Sequence, residues 1–180
     1  MKKISRSVPL SDYVRILITS AIIVVCDQLT KLMVVATFYH GETRQVIPGF
    51  FDVVLVFNKG AAFGMLGGLS EDLRRITLAA TTVLAVGTII YLLFSEYINY
   101  PRARVALGLI IGGAIGNIID RIRFGQVVDF LDFYVRDVHW PAFNVADSAI
   151  CIGVGLLLIT SPKPETSSSV VSTTNPECPL

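Results

Sequence analysis

Long apolar runs alternate with shorter polar segments along this sequence, a pattern typical of an all-α polytopic membrane protein. A helix needs about 20 mostly apolar residues to cross a bilayer. Runs of about this length occur four times, and each is predicted to be a transmembrane helix. The predicted helices cover about residues 14–37, 75–94, 103–120 and 142–160.

Two polar segments, residues 38–74 and 121–141, separate the predicted helices and are expected on one side of the membrane. Within the first, residues 46–58 are rich in β-branched and aromatic side chains and are broken by Pro48-Gly49, which indicates extended structure. The second mixes acidic and aromatic residues and is predicted to be a solvated or interfacial loop. The two segments are therefore outer loops of a four-helix membrane domain.

The ends of the chain differ from this pattern. The first apolar run is too long for the apolar region of a cleaved signal peptide, and no small-residue cleavage site ends it, so the helix is expected to be retained. Residues 161–180 are rich in Ser, Thr and Pro and lack a core pattern, which predicts a disordered tail. The predicted membrane domain is residues 1–160.

Composition supports a membrane protein, because 53% of residues are apolar, 16% are charged and the mean hydropathy is +0.65. Soluble domains have about a quarter of their residues charged. The net charge of +1 excludes a nucleic-acid-binding signature. The three cysteines lack the spacing of a zinc site or a disulfide framework, and neither histidine is part of an HExxH motif, so we expect no metal and no cofactor.

The distribution of cations predicts the orientation. Lys and Arg outside the first helix divide evenly by raw count, but the inner segments are shorter and their cations lie close to the predicted helices. The positive-inside rule then places both termini in the cytoplasm and the polar ends of the helices on the outer face. The flanking cations are Lys2, Lys3, Arg6, Arg15, Arg102 and Arg104.

Polar residues interrupt the apolar helices at a few positions. In the first helix, Asp27 and Lys31 are spaced i,i+4 and share a face. They either neutralise each other and orient the helix, or support a polar site at the outer face, and the two interpretations are compatible. In the third helix, glycines at every fourth position, Gly108, Gly112 and Gly116, form a face that allows close helix packing. Asp120 continues that row.

The densest group of polar residues lies between residues 112 and 147, where it includes Asp129 and Asp147 on either side of the second outer loop. Ionisable groups beside membrane segments are costly and therefore indicate a functional site. Two carboxylates held close together share one proton, and such a pair can activate water and protonate a scissile carbonyl. Intramembrane carboxylates also suit a proton-coupled transporter, an ion pathway or a scaffold, and the residues alone leave these alternatives open.

Five ordered motifs resemble those of the lipoprotein signal peptidase family, also called signal peptidase II. They extend over residues 14–160, and together they are far more specific than any one of them. The family consists of bacterial aspartic peptidases with four membrane helices, and its outer loops form a small sheet and a lid over the site. The motifs are DQLTK at 27–31, NKGAAFG at 58–64, GNIIDR at 116–121, VVDF at 127–130 and FNVAD at 143–147.

The resemblance implies that Asp129 and Asp147 are the catalytic pair. It implies that the substrates are diacylglyceryl-modified prolipoproteins, cleaved just before the lipid-bearing cysteine. It also implies a location in the bacterial cytoplasmic membrane, membrane lipid as a partner, and action as a monomer. Asp120 is expected to be structural and paired with Arg121. The residues expected to bind substrate or support the site are Asn58, Gly60, Asn117, Asp120, Arg121, Asn144, Asp27 and Lys31.

Overall fold

The structure is a computed structural model that describes residues 9–59 and 100–160, together with residues 70, 73, 76, 77, 80, 83, 84, 87 and 91. Most of the predicted second helix, Gly60 and the predicted tail lie outside the described residues. The named elements are helix α1 (Leu10–Thr37), strands β1 (Thr43–Ile47) and β2 (Phe51–Asn58), helix α2 (Pro101–Phe124), strands β3 (Val127–Val135) and β4 (Val138–His139), and helix α3 (Val145–Ile159).

The helix ends differ from the predicted ones because capping, and not the end of an apolar run, determines them. Helix α2 continues four residues past the predicted end and stops at Gly125, whose φ of 70° is left-handed. Helix α3 begins three residues later than predicted because Asn144 caps it. Helix α1 begins at Leu10, four residues earlier than predicted, directly after Pro9.

Helix α1 has the reverse of the usual soluble pattern, with polar side chains buried and apolar ones exposed. Asp27 is 0% exposed and Lys31 is 3% exposed, whereas Leu17 and Met33 are each 67% exposed. Exposed aliphatic side chains around a polar interior suit a lipid environment. Among the described residues, two helices are long and apolar enough to cross a membrane, Leu10–Thr37 and Ala103–Phe124.

The predicted count of four transmembrane helices is not settled by the described elements. Helix α3 has 15 apolar-rich residues, which at 1.5 Å per residue span about 22 Å, less than a hydrocarbon core of about 30 Å. Each described residue from 73 to 91 is helical. The four-helix architecture therefore stays a prediction.

The predicted close packing of the glycine row is confirmed, and its partner is α1. A Cβ added at Gly108 would lie 2.6 Å from the Cβ of Thr19, and one added at Gly112 would lie 2.8 Å from the backbone oxygen of Ser20. At Gly116 the added atom would lie 2.5 Å from Asp27 Oδ2. Only a glycine surface lets the two helices approach this closely.

The strands form one antiparallel sheet in the order β1-β2-β3-β4. The predicted extended segment is confirmed as the β1–β2 hairpin, with Gly49 in its turn at a φ of 77°. The small sheet that the family resemblance placed in the outer loops is confirmed. The residue pattern of 121–141 alone predicted a solvated or interfacial loop, and the structure instead has β3 there, which pairs with β2 along most of its length. Its first four residues are all buried, so the strand lacks the alternating pattern that would reveal it.

The sheet packs against the C-terminal end of α1. Val34 of α1, Leu55 of β2, and Val128 and Phe130 of β3 form one buried apolar cluster. Asp129 lies between the last two and is itself 2% exposed. This packing fixes a carboxylate on a strand beside the C-terminal end of α1.

Candidate active site

Asp129 is a buried carboxylate held by two side-chain amides. Asn144 Nδ2 donates to Asp129 Oδ1 at 2.7 Å, and Asn58 Nδ2, at the end of the neighbouring strand, donates to Oδ2 at 2.9 Å. The pKa of Asp129 is raised to about 6, chiefly by burial and also by the charge of Asp147, against the lowering effects of the two amides and Lys31. Asp129 can therefore gain and lose a proton close to neutral pH.

Asp147 is placed by the start of α3. Its backbone N–H donates to Asn144 Oδ1 at 2.9 Å, and its own Oδ2 accepts from the Asn144 backbone N–H at 3.3 Å, which forms a capping box. The other oxygen, Oδ1, accepts from Asn117 Nδ2 at 2.7 Å. Unlike Asp129, Asp147 is partly exposed.

Asn144 connects the two carboxylates. Its side-chain amide binds Asp129, and its backbone N–H binds Asp147. Because Asn144 Oδ1 accepts from the backbone N–H of Asp147, the NH₂ group of the same amide points away from α3, toward the strand that carries Asp129. One fully buried residue thus brings together two acids from a strand and a helix that are 18 positions apart in the sequence.

A second polar cluster lies next to this pair, between α1 and α2. Lys31 Nζ lies 2.9 Å from Asp27 Oδ2 and 2.8 Å from Asp120 Oδ2, and all three side chains are almost completely buried. Asp27 Oδ1 also accepts from the backbone N–H of Ala146 at 2.9 Å. The predicted Asp27–Lys31 pair is confirmed, and it contacts both α2 and α3.

The predicted pairing of Asp120 with Arg121 is wrong. Asp120 instead binds Lys31, and its Oδ2 also accepts from the Val128 backbone N–H at 3.1 Å. Neighbouring residues on a helix point about 100° apart, so Asp120 faces α1 while Arg121 does not. Arg121 donates to the Asn117 backbone oxygen at 3.3 Å and is close enough to interact electrostatically with all three acids around it, Asp147, Asp129 and Asp120.

Sequence reasoning missed Gln28 as part of the site. Its amide nitrogen donates to Asp27 Oδ2 at 3.1 Å, to Asp120 Oδ1 at 3.0 Å and to the Gly116 oxygen at 3.2 Å. Two features of the sequence could have indicated a role for Gln28 in the site: it belongs to the DQLTK motif, and it lies on the part of α1 that contacts the glycine row of α2. Gln28 lies beside the ion cluster and, like Lys31, contacts both of its acids.

The other predicted site residues are placed as follows. Asn58 and Asn144 contact Asp129, and Asn117 contacts Asp147. Gly60 lies outside the described residues. Within the described part of the chain, no three His, Cys, Asp or Glu side chains converge as a metal site would require.

An open cleft of about 400 Å³ reaches Asp147. Its remaining lining comes from the segment before α3 and from the first turns of that helix. The indole of Trp140 borders the cleft. The lining residues are Trp140, Pro141, Ala142, Phe143, Asp147, Ser148 and Cys151.

Comparison with known proteins decides the family. The model of the family described as "Signal peptidase (SPase) II" matches residues 19–163, most of the chain. The chain belongs to the signal peptidase II family. Members of the family are aspartic peptidases, so this chain is an enzyme and the transporter and scaffold alternatives are set aside.

Relatives with curated names agree with signal peptidase II. The lipoprotein signal peptidase of Syntrophotalea carbinolica is 46% identical over 150 residues, which are 83% of this chain and 92% of the relative. Those of Syntrophus aciditrophicus and Cupriavidus necator are 43% and 49% identical over 79% and 77% of this chain, and over 89% and 77% of their own lengths.

The fold also resembles a solved structure, described as a bacterial membrane enzyme determined by the in meso method at 1.9 Å resolution. The TM-score is 0.66 and the sequences are 32% identical, over 81% of this chain and 90% of that one. The apolar exterior of α1 and α2 agrees with a membrane enzyme of the signal peptidase II family.

Proposed function

We propose that this chain removes signal peptides from diacylglyceryl-modified prolipoproteins by cleaving just before the lipid-bearing cysteine, with Asp129 and Asp147 as the catalytic pair. The names of the relatives support the substrate class. The observation that carries the chemistry is the binding of both carboxylates by Asn144. This shared partner supports the proposal that the two acids act as a pair.

The proposed reaction needs no covalent intermediate. The ionised member of the pair draws a proton from water, and the resulting nucleophile attacks the scissile carbonyl, which receives a proton from the other member. A shared proton requires that the two carboxylates do not ionise independently, and the effect of Asp147 on the pKa of Asp129 supports this coupling. The raised pKa of about 6 suits proton exchange near neutral pH.

The neighbouring polar groups have two kinds of role in this proposal. Arg121 and the amides of Asn58 and Asn144 surround the pair and can stabilise the developing oxyanion or the ionised acid. Gly60 and Asn117 complete the expected substrate-contacting set. Asp27, Lys31 and Asp120 support the site from beneath.

The proposed location is the bacterial cytoplasmic membrane, with both termini in the cytoplasm and the active site facing outward. The sheet and the catalytic pair lie at the same end of α1 and α2, which suits a scissile bond at the membrane surface. The cleft at Asp147 supports access from the side of α3. The proposed partners are the lipidated substrate and membrane lipid, and the proposed active form is a monomer.

The test is a gel-shift assay of purified protein with a diacylglyceryl-modified prolipoprotein. We expect signal-peptide release by the wild type and none by Asp129→Asn or Asp147→Asn, because neither variant retains two titrating carboxyl groups. The matched control is Asp132→Asn. Asp132 lies on the same strand as Asp129, but its carboxylate is bound to His139 at 2.9 Å and not to Asn144. This variant should cleave at the wild-type rate.

Two results would count against the proposal. Activity retained in a folded Asp129→Asn or Asp147→Asn variant would remove that residue from the catalytic pair. Failure of the folded wild type to cleave the lipidated substrate, while it cleaves an unlipidated one, would remove the proposed substrate class.

A further inference from the structure

We infer that Lys31 is a positioning residue for the proposed catalytic pair, because it fixes the side-chain amide of Asn117 in the orientation that donates to Asp147. The inference rests on the proposed function, since it gives Lys31 a task in the chemistry beyond its ion pair with Asp27. In each of these contacts the chemistry of the groups fixes which one donates the hydrogen bond and which one accepts it.

The first step is the contact between Lys31 and Asn117. Lys31 Nζ lies 3.1 Å from Asn117 Oδ1, and both groups are buried. An ammonium group has donors and no acceptor, so only the oxygen of the amide can face it. A second donor, Asn144 Nδ2, approaches the same oxygen at 3.3 Å. The amide of Asn117 therefore has its oxygen turned toward Lys31.

The second step follows from the geometry of a planar amide. With its oxygen toward Lys31, Asn117 presents its NH₂ group on the other side, where it donates to Asp147 Oδ1 at 2.7 Å. The reversed amide would place an oxygen against a carboxylate oxygen and leave the ammonium facing NH₂. Lys31 makes this reversed arrangement unfavourable at one end of the amide, and Asp147 makes it unfavourable at the other.

The third step is that Lys31 is itself fixed. Its ammonium has three protons, and three acceptors surround it: Asp27 at 2.9 Å, Asp120 at 2.8 Å and Asn117 at 3.1 Å. Its exposed fraction is 3%. Because three acceptors hold the ammonium group of Lys31 in place, its position in turn determines the orientation of the Asn117 amide.

A purely structural role makes a different prediction. The same two helices are tied by another buried ion pair, Arg104 to Asp12 at 2.7 Å. It lies 19 residues from Lys31 along α1, or about 28 Å at 1.5 Å per residue. Removal of either pair should weaken helix packing, but only removal of Lys31 should disturb Asn117 and the chemistry.

The direct test is a side-chain amide spectrum of the full-length protein in detergent micelles, labelled with ¹⁵N-asparagine. The chain has five asparagines, so the Asn117 resonances can be assigned by their loss in Asn117→Ala. We expect Lys31→Met to shift or average the resonance of the proton donated to Asp147. The same spectrum of Asp12→Asn should be unchanged at Asn117. An unchanged Asn117 resonance in Lys31→Met would overturn the inference.

The kinetic test is a double-mutant cycle on the cleavage of the lipidated prolipoprotein. Loss of one hydrogen bond to a charged group corresponds to a decrease of about ten- to a hundredfold in kcat for Lys31→Met, with KM nearly unchanged. In the Asn117→Ala background, the same substitution should have little further effect, because the residue through which it acts is gone. Asp12→Asn should leave kcat at the wild-type value.

The possible results separate the two proposals. Additive effects of Lys31→Met and Asn117→Ala, or a wild-type kcat in Lys31→Met, would overturn the positioning role while the catalytic pair stands. An inactive folded wild type would overturn the proposed function, and the amide spectrum would still decide the orientation. If Lys31→Met fails to fold, Lys31→Met/Asp120→Asn removes one charge of each sign, and Asp120→Asn alone becomes its reference.

Discussion

Replacement of Asn144 by serine separates its two tasks. The serine hydroxyl can still accept from the Asp147 backbone N–H and cap α3, because serine is among the preferred N-cap residues. It cannot donate as the amide does to Asp129 Oδ1, a bond of 2.7 Å in the structure. Asn144→Ser should therefore retain the helix start and lose one donor to the buried carboxylate.

The size of the effect follows from the donor that is lost. A hydrogen bond to a charged group contributes about 1.5–3 kcal/mol, and one pKa unit corresponds to about 1.36 kcal/mol. The donor stabilises the ionised form of Asp129, so its loss should raise the pKa of Asp129 by about one to two units above the present value of about 6. The retained bond from Asn58, at 2.9 Å, places the shift toward the lower end.

The assay is the pH dependence of kcat for cleavage of the lipidated prolipoprotein. The proposed pair needs one proton, and the raised pKa makes Asp129 the member that holds it. The wild-type rate should therefore fall as the pH rises through about 6, because loss of that proton leaves the pair without an acid for the scissile carbonyl. In Asn144→Ser the same decline should occur at higher pH. Asn144→Ala should show the same displacement and lose about 1 kcal/mol more of unfolding free energy with the cap. A decline in rate at the wild-type pH in a folded Asn144→Ser would refute the reasoning.

Two further predictions concern the helices beneath the site. Gly112→Ala should lower the unfolding free energy in detergent by about 1–3 kcal/mol, since its Cβ would lie 2.8 Å from the Ser20 backbone oxygen. The control Gly155→Ala should be near neutral, because nothing lies within 4 Å of the added Cβ. Equal stability of the two variants would contradict the packing argument. Asp27→Asn should reduce kcat less than substitution of either aspartate of the proposed catalytic pair, because it retains an oxygen for the Ala146 N–H. Wild-type kinetics in that variant would limit Asp27 to orienting α1.

Several parts of the structure follow from local chemistry that the sequence displays. The i,i+4 spacing of Asp27 and Lys31 predicts their ion pair, and the glycine repeat predicts the close helix contact, because both depend on the geometry of single helices. The break at Pro48-Gly49 likewise predicts the hairpin. The identity of the helix that fills the glycine face is a matter of tertiary structure, and only the structure identifies α1.

The errors arose where partners come from elsewhere in the chain. Asp120 was assigned its sequence neighbour Arg121, although the glycine row it continues faces the helix that carries Lys31. Strand β3 was missed because burial on both faces removes the alternation expected of a strand. The assignment of Asp129 and Asp147 as the catalytic pair came from the motifs, and their shared contact with Asn144 depends on strand β3 and could not be predicted from spacing.

The ion cluster between α1 and α2 has a consequence for biogenesis. Helix α1 has an acid and a base of its own in contact, so it can enter the bilayer as an electrically balanced segment. Helix α2 brings Asp120, whose cation belongs to α1. In lipid no hydrophobic force drives two helices together, so polar contacts and close packing must guide their association. If the helices insert in chain order, Lys31 of α1 is already in the membrane when α2 brings in Asp120. Loss of Lys31 would leave Asp120 in α2 without this counter-ion.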